Sequence, residues 1–443
     1  MAEWVPLLSD SDETTALASE AVDSIAQSLI NRDYVIGKEA SYHYRPYEDA
    51  LLYAYLALAR DDIHWAHRAA ECLNSAIDRA DEETGYLGLF GGLAGLGWTL
   101  EHISKLFRHL SSSNDATDSP AANPVAIFTE DDEDDLLADV DALILRELRR
   151  DDPSRCYDLI SGLVGFGTYF MERWPKKTAV QGIAAIFDQL ELLAEVTDVG
   201  ITWRSNPDLL PDSDKVKCPD GCYNLGVAHG IPAIIYFLST ASHPDIVNID
   251  RANRLLEGAM SWLIAHQLPH TARSRFSPWI IRGQEPIEGR LAWCYGDLGI
   301  AAVLLQVARR SGRTDWQEFA HALLDHCLAW PSQVSGVHDA PLCHGATGVA
   351  HIFNRIYQGD HDARCRDAAL EWYKRALVMR RHGNGIGGFA SLTVPEPAQS
   401  IVWEANPGFV DGAIGIALAL IAATTPIEPR WDQSMLLSAI TTV

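Results

Sequence analysis

Six segments of this sequence repeat one short phrase, in which a glycine opens a run of apolar residues. Five of the six phrases have the pattern G-x-x-G, and neighbouring phrases start 49 to 70 residues apart. That interval is long enough for an outgoing helix, a returning helix and their loops. The repeat therefore predicts a chain built of similar helix pairs. The first glycines of the phrases are Gly92, Gly162, Gly230, Gly296, Gly345 and Gly412.

Two kinds of helical segment alternate along the chain and predict two rings. The segments after the glycines are apolar on all sides, as buried helices are, whereas those between the phrases, such as 250–267, are amphipathic. Segment 42–60 supplies a seventh apolar helix without the glycine phrase. We therefore predict an all-α fold, an α/α toroid of about seven inner and seven outer helices, in a single domain over residues 1–443.

Two further expectations concern the details of this toroid. Small residues three apart share a helix face, so the G-x-x-G pairs should let neighbouring inner helices approach closely. Residues 106–150 combine a Ser/Asn/Pro stretch with an acidic run. That composition predicts an exposed acidic loop or an inserted element within the domain.

Composition excludes several functional classes. The formal net charge of -25 repels phosphate backbones, so no nucleic acid is expected as a ligand. Residues 1–15 lack the basic and apolar regions of a secretory signal. The longest apolar run, 408–427, contains an aspartate and several glycines, which favours a buried helix over a transmembrane segment. Together with eight scattered cysteines, which favour reduced thiols, these features predict a cytoplasmic protein.

In a ring of like units, equivalent residues gather at one end. Cys294 and Cys343 both lie two residues before the first glycine of a phrase, and His344 directly follows Cys343. Two thiolates and an imidazole suit zinc and leave a fourth position open. The alternative is that the cysteines are small buried apolar residues and the histidine is a capping group. Cys218 and Cys222 have C-x3-C spacing but no second close pair, so we predict loop thiols there.

Three phrases carry a resemblance to a known family. "WCYG" at 293–296, "CHG" at 343–345 and "AHG" at 228–230 resemble, in order and separation, the lanthionine synthetase C-like cyclases. These are zinc enzymes with a seven-unit α/α toroid that close thioether rings in lanthipeptides. The resemblance implies one zinc ion per chain, held by Cys294, Cys343 and His344, and no other cofactor. Tyr295 stands where eukaryotic relatives typically have histidine, which favours the bacterial biosynthetic branch.

The resemblance also implies a reaction and further site residues. A peptide cysteine would add to a dehydroalanine or dehydrobutyrine of the same peptide, and the resulting enolate would be protonated at carbon. His229 is implied as general acid or base, with Asp158 orienting its imidazole. Arg290 would hold Asp158 or a peptide carbonyl, and Tyr295 would donate a hydrogen bond. A buried ion pair and a capped helix start are the structural alternatives for these last two residues.

Partners and rival functions follow from the same resemblance. The implied partner is a dehydrated precursor peptide, with a lanthipeptide dehydratase and an export complex, which would place the protein at the periphery of a membrane-associated assembly. The main alternative is a LanC-like zinc protein that binds glutathione or modified peptides without antibiotic biosynthesis. Other rivals are a thiol-directed zinc enzyme resembling protein prenyltransferases, a metal-free helical scaffold, and an α/α-barrel glycosidase, which would need a pair of carboxylic acids.

Overall fold

The structure is a computed structural model dominated by helices. It describes residues 4–8, 13–32, 45–80, 85–112, 135–150, 152, 154–210, 212–393 and 400–438. Seven inner helices are found in this part of the chain: α2 (Tyr47–Arg60), α4 (Leu93–Ser112), α6 (Leu163–Glu172), α9 (Ile231–Thr240), α11 (Asp297–Ser311), α13 (Ala346–Asp360) and α15 (Ala413–Thr424).

An outer helix packs beside each inner helix. The outer helices of the described residues are α1 (Glu13–Asn31), α3 (Ile63–Asp78), α5 (Ala138–Leu148), α7 (Lys177–Leu193), α10 (Ile249–Ala265), α12 (Thr314–Leu328) and α14 (Ala363–Val378). A short helix, α8 (Asp212–Lys217), lies in the loop before α9. Three two-stranded antiparallel sheets are also present: β1 (Glu195–Thr197) with β2 (Gly200–Thr202), β3 (Tyr223–Asn224) with β4 (Trp279–Ile280), and β5 (Ser391–Thr393) with β6 (Val402–Glu404). Three short 3-10 helices, Pro207–Leu209, Ser332–Val334 and Arg430–Met435, complete the described elements.

The inner helices form a closed ring. Each one contacts the next along the chain, and the last, α15, contacts the first, α2. The outer partner of α15 is α1, so an N-terminal helix covers the last inner helix. The predicted α/α toroid is therefore confirmed, including segment 42–60 as the source of the seventh inner helix.

Burial follows the division that the sequence pattern predicts. Residues 413–423 of α15 are all buried, whereas α10 buries one face against the ring and leaves charged residues outside. The start of α10 is capped by Asn248, whose side chain accepts a hydrogen bond from the N–H of Arg251 at 3.0 Å. The apolar inner helices form the core because they are covered on all sides.

The second glycine of each G-x-x-G pair is required chiefly by the loop that precedes its own helix. A Cβ added at the second glycine of a phrase would meet the carbonyl oxygen of the loop residue six positions earlier. The distance would be 1.9 Å at Gly348, facing Leu342, and 2.0 Å at Gly415, facing Phe409. The close approach is between a helix and its own preceding loop. The expected close approach to a neighbouring inner helix comes second: a Cβ at Gly95 would also meet the Tyr47 hydroxyl of α2, at 2.5 Å.

Those preceding loops are joined into a chain of backbone hydrogen bonds around one end of the toroid, which we call the mouth belt. Its acceptors are the carbonyl groups two residues before the first glycine of the second to sixth phrases, and the donors are N–H groups of the preceding repeat. The distances are between 2.8 and 3.4 Å. The pairs are Leu89 and Phe90 to Ile160, Leu159 to Ala228, Ala228 to Cys294, Trp293 and Cys294 to Cys343, and Cys343 to Val410.

Side chains of α2 replace the glycine phrase in the repeat that lacks it. The Glu48 carboxylate accepts the N–H of Phe409 at 2.7 Å, where the next loop carbonyl would otherwise stand. The Tyr47 hydroxyl accepts the N–H of Gly91 at 3.1 Å and donates to the carbonyl of Gly92 at 3.3 Å. Two buried side chains thus connect the two ends of the mouth belt.

A segment near the C-terminus, residues 430–438, fills the lumen of the ring. Trp431 is fully buried and stacks on His351, with ring centroids 4.6 Å apart. Its backbone N–H donates to the Tyr55 hydroxyl of α2 at 3.0 Å. Asp432 accepts hydrogen bonds from His351 and Arg355 of α13 at 2.8 and 2.9 Å. Further contacts come from Trp293, Tyr236 and Gln306, which donate to the carbonyl groups of Met435, Ser438 and Leu436.

The acidic region predicted over residues 106–150 lies partly within regular structure. Its beginning belongs to α4 and its end forms the outer helix α5, while residues 113–134 lie outside the described residues. Asp135 and Asp141 both bind the buried guanidinium of Arg173, at 2.6 and 2.8 Å. Among the described residues, no helix has both the length and the apolarity to cross a membrane.

We predict that Gly348→Ala destabilises the fold, whereas Gly359→Ala in the same helix does not. The first change forces a methyl group against a loop carbonyl and should lower the free energy of unfolding by about 1 to 3 kcal/mol. At Gly359 the new methyl would meet only the end of the Arg309 side chain, at 3.1 Å, and alanine is the better helix former. Urea unfolding measures both. Equal stabilities for the two variants would contradict the assignment of Gly348.

Candidate metal centre and its neighbouring acid–base groups

The mouth belt brings the three predicted ligands together. Cys294 and Cys343 precede α11 and α13, and the N–H of Cys294 donates to the carbonyl of Cys343 at 3.2 Å. One ligand atom from each of Cys294, Cys343 and His344 lies within 4.8 Å of the other two. Because the backbone links the two repeats directly beside both cysteines, the sulfur atoms are held close before any metal arrives.

The cluster has a strongly asymmetric charge distribution. A hydrogen bond from the Cys343 thiol, followed by the His344 imidazole and the Arg290 guanidinium, holds the pKa of Cys294 well below its usual range, although burial opposes this. The Cys294 sulfur and burial raise the pKa of Cys343 well above its usual range. Burial lowers the pKa of His344, but Cys294 raises it by more, to about 9. Cys294 is therefore the more acidic thiol of the cluster, and His344 is the base beside it.

These residues have the donor chemistry of a metal site. Buried thiolate and imidazole ligands suit zinc and similar borderline ions. The Nδ1 atom of His344 is buried and has no hydrogen-bond partner among the described residues, as is typical of a nitrogen that serves another ligand. His344 lies between two carboxylates, with Nε2 3.8 Å from Asp339 and Nδ1 4.0 Å from Asp411. The cluster can hold a metal ion and has nearby carboxylates to orient the imidazole.

A histidine–carboxylate pair lies at the same mouth. His229 immediately precedes the first glycine of α9, and its Nδ1 atom is 2.6 Å from an Asp158 oxygen. The other Asp158 oxygen accepts the N–H and the hydroxyl of Ser161, at 2.8 and 3.2 Å. Burial lowers the pKa of His229, but the Asp158 carboxylate raises it by more, so the net shift is upward. The His229 side chain is 40% exposed, so it can exchange a proton with a ligand in the mouth.

Tyr295 lies beside this pair. Its ring stacks on the His229 ring, with centroids 5.8 Å apart, and the edge of Trp279 contacts it at 5.9 Å. The hydroxyl oxygen accepts a hydrogen bond from the Asn224 amide at 3.1 Å. The aromatic contacts and the amide together fix the orientation of the phenol ring.

Arg290 acts on the cysteine side of the site. Its backbone forms a β-bridge with Gly296, which places the residue directly beside the start of α11. Its charge helps to lower the pKa of Cys294 and partly opposes the rise in the pKa of Cys343. No ion pair joins Arg290 to Asp158 among the described residues, and Asp158 is instead occupied by His229 and Ser161.

Sequence reasoning did not single out four residues that contact the predicted site. Asp411 occupies the same position before a first glycine as His229 and His344, so the repeat carried a signal for it. Asp339 lies in a loop, and Asn224 and Trp279 lie in the paired strands β3 and β4; all three are between the phrases, where no pattern marked them. Cys218 and Cys222 are buried in the loop before β3, and their assignment as loop thiols stays a prediction.

The fold and the cluster define a class, a seven-pair α/α toroid with a cysteine- and histidine-lined candidate metal centre at its mouth. The family model described as lanthionine synthetase C-like protein matches residues 50–436. The chain therefore belongs to the lanthionine synthetase C-like family, and the resemblance noted in the sequence is confirmed.

Two individual relatives match the chain at low sequence identity. The nisin biosynthesis protein NisC of Lactococcus lactis subsp. lactis is 21% identical over 295 residues, an alignment that spans 63% of this chain and 64% of that protein. The solved structure of nisin cyclase superposes with a TM-score of 0.71 and 18% identity, over 95% of this chain and 97% of that chain. At this identity, the structural match supports the fold alone.

We predict that the purified protein carries close to one zinc ion and that Cys343→Ala loses it. Removing one of three ligands should leave less than about a tenth of the metal after dialysis, since two donors rarely retain zinc. The matched control is Cys72→Ala, which removes a thiol from the outer helix α3. Elemental analysis measures both variants. Full zinc retention by Cys343→Ala would contradict the ligand assignment.

We predict that Asp158→Asn lowers the pKa of His229. The substitution removes the carboxylate that raises this pKa and leaves the burial that lowers it, so the shift is downward. Titration of labelled histidines by NMR measures the change, and the remaining histidine signals provide the internal control. An unchanged His229 titration would contradict the proposed coupling.

Proposed function

We propose that this protein is a zinc-dependent lanthipeptide cyclase. Its substrate would be a dehydrated precursor peptide, in which a cysteine thiol adds to a dehydroalanine or dehydrobutyrine to form a lanthionine or methyllanthionine ring. The observation that supports this proposal best is the position of the Cys294–Cys343–His344 cluster beside the His229–Asp158 pair at one mouth. One group of residues suits a thiol nucleophile, and the other suits proton transfer.

The first requirement of the reaction is a thiolate. A free cysteine has a pKa of about 8.5 and is mostly protonated near neutral pH. Cys294, Cys343 and His344 would hold a zinc ion, which would supply the positive charge that lowers the pKa of a substrate thiol. Arg290 adds positive charge at the same place, as its effect on the pKa of Cys294 indicates.

The second requirement is proton transfer at the carbon that receives the alkene electrons. His229 can take the proton of the incoming thiol and return a proton to the α-carbon, because its pKa is raised and its side chain reaches the mouth. Asp158 holds the imidazole through Nδ1, which leaves Nε2 to face the reactants. Tyr295 stacks against the imidazole and can donate a hydrogen bond to the enolate oxygen.

The prediction that tests this function uses His229→Ala. Loss of the acid–base group should slow ring closure by at least about 100-fold, in the range typical of general acid–base catalysis. The matched control is His64→Ala, which removes an 86% exposed histidine on α3. A synthetic peptide with one cysteine and one dehydroalanine is incubated with the zinc protein. Thiol alkylation followed by mass spectrometry then measures the fraction of closed rings.

Three outcomes can be told apart. Ring closure by the wild-type protein and by His64→Ala, but not by His229→Ala, would support the proposal. Closure by His229→Ala at the wild-type rate would assign the acid–base step to another group. If the wild-type protein leaves the peptide thiol free but transfers glutathione to the alkene, the glutathione-directed alternative would replace the cyclase proposal.

A further inference from the structure

The side-chain amide of Asn224 is fixed at both of its ends. Asn224 belongs to β3 and is 5% exposed. Its Oδ1 atom accepts the backbone N–H of Gly226 at 3.0 Å, and its Nδ2 atom donates to the Tyr295 hydroxyl at 3.1 Å. A backbone N–H can only donate, so this contact determines which end of the amide is the oxygen. The NH2 group must therefore face Tyr295.

This orientation determines the role of the Tyr295 hydroxyl. Because the oxygen accepts from Asn224, its own hydrogen cannot point at Asn224 and must be donated elsewhere. In the part of the chain that the structure describes, no protein acceptor lies within hydrogen-bond distance of this hydroxyl. The phenol hydrogen is thus left available to a ligand in the mouth.

The phenol ring of Tyr295 has little freedom to rotate. Gly226 lies directly against it, and a Cβ at position 226 would be 2.6 Å from the Tyr295 ring and 2.3 Å from the carbonyl oxygen of Cys294. Trp279 and His229 contact other parts of the ring, at centroid distances of 5.9 and 5.8 Å. Tyr295 is therefore a hydrogen-bond donor of fixed orientation beside His229.

We propose that Asn224 is a positioning residue that makes Tyr295 an obligatory hydrogen-bond donor to the enolate oxygen of the substrate. The inference rests on the proposed cyclase function. The substrate sulfur forms a bond to the β-carbon, and the alkene electrons move through the α-carbon to the carbonyl oxygen. Tyr295 donates a hydrogen bond to that oxygen without transferring its proton. The enolate collapses when the α-carbon receives a proton from His229, and no oxidant or further reactant is required.

Asn224→Asp is the decisive substitution because it exchanges one NH2 group for an oxygen of the same size. The carboxylate still accepts the Gly226 N–H, but its other oxygen now accepts the Tyr295 hydrogen and withdraws it from the substrate. We expect kcat to fall about 10- to 100-fold with little change in KM, as for loss of a donor to transition-state charge. Tyr295→Phe should produce a fall of similar size. Zinc content should stay unchanged in both variants.

Asn224→Ala separates positioning from simple structural support. It loses the contacts to both Gly226 and Tyr295, so a purely structural role makes alanine the more damaging change. If Asn224 acts through hydrogen direction, alanine should be the milder change, because the phenol can then still donate to the substrate. A kcat for Asn224→Ala below that for Asn224→Asp would overturn the inference.

The added negative charge of Asn224→Asp has its own control. In a Tyr295→Phe background no phenol hydrogen remains to be withdrawn, so Asn224→Asp should cause less than about a twofold further fall in kcat. An undiminished further fall would show a charge effect and overturn the inference.

If the wild-type protein closes rings and Asn224→Asp closes them equally fast, only this inference fails. If the wild-type protein closes no ring, the proposed function fails and the inference fails with it.

Discussion

The mouth belt is the interaction on which the site depends. The first five loops before a glycine each donate a backbone hydrogen bond to the next loop, and the glycines permit this because no Cβ stands between helix and loop. Cys294 and Cys343 are members of the belt, so the backbone sets the separation of their sulfur atoms. A backbone contact of this kind limits reorganisation when a ligand binds, and such preorganisation is what metal and catalytic sites require.

Two histidines at the mouth have different surroundings, and the distances indicate different tasks. His229 is in direct contact with Asp158, which suits an imidazole that gains and loses protons. His344 lies 3.8 to 4.0 Å from its two neighbouring carboxylates and close to the cysteines, which suits a ligand. Both residues occupy the same position of the repeat. The difference arises from the loops that pack against each one, and so the repeat alone could not reveal it.

The parts of the structure that were predictable from the sequence are those that repeat. Six phrases at regular separations predicted the inner ring, and the shared offset of Cys294 and Cys343 predicted their proximity. The single-copy features were not predictable. Glu48 and Tyr47 replace a missing loop with side chains, and Asn224 reaches Tyr295 through a strand between phrases. Such contacts depend on three-dimensional packing and follow no repeat in the sequence. They hold the loops and side chains of the site in place.

The lumen-filling segment has a consequence for how the molecule is made. Residues 430–438 contact inner helices from α2 to α13, and α1 packs on α15, so sequentially distant parts complete one another. A ribosome delivers these residues after every helix of the ring. The growing chain can therefore form helix pairs early, but the packing of the lumen must await the synthesis of residues 430–438. Until then the apolar side chains that face the lumen lack this cover, and exposed apolar surface of this kind makes incompletely folded chains prone to aggregate.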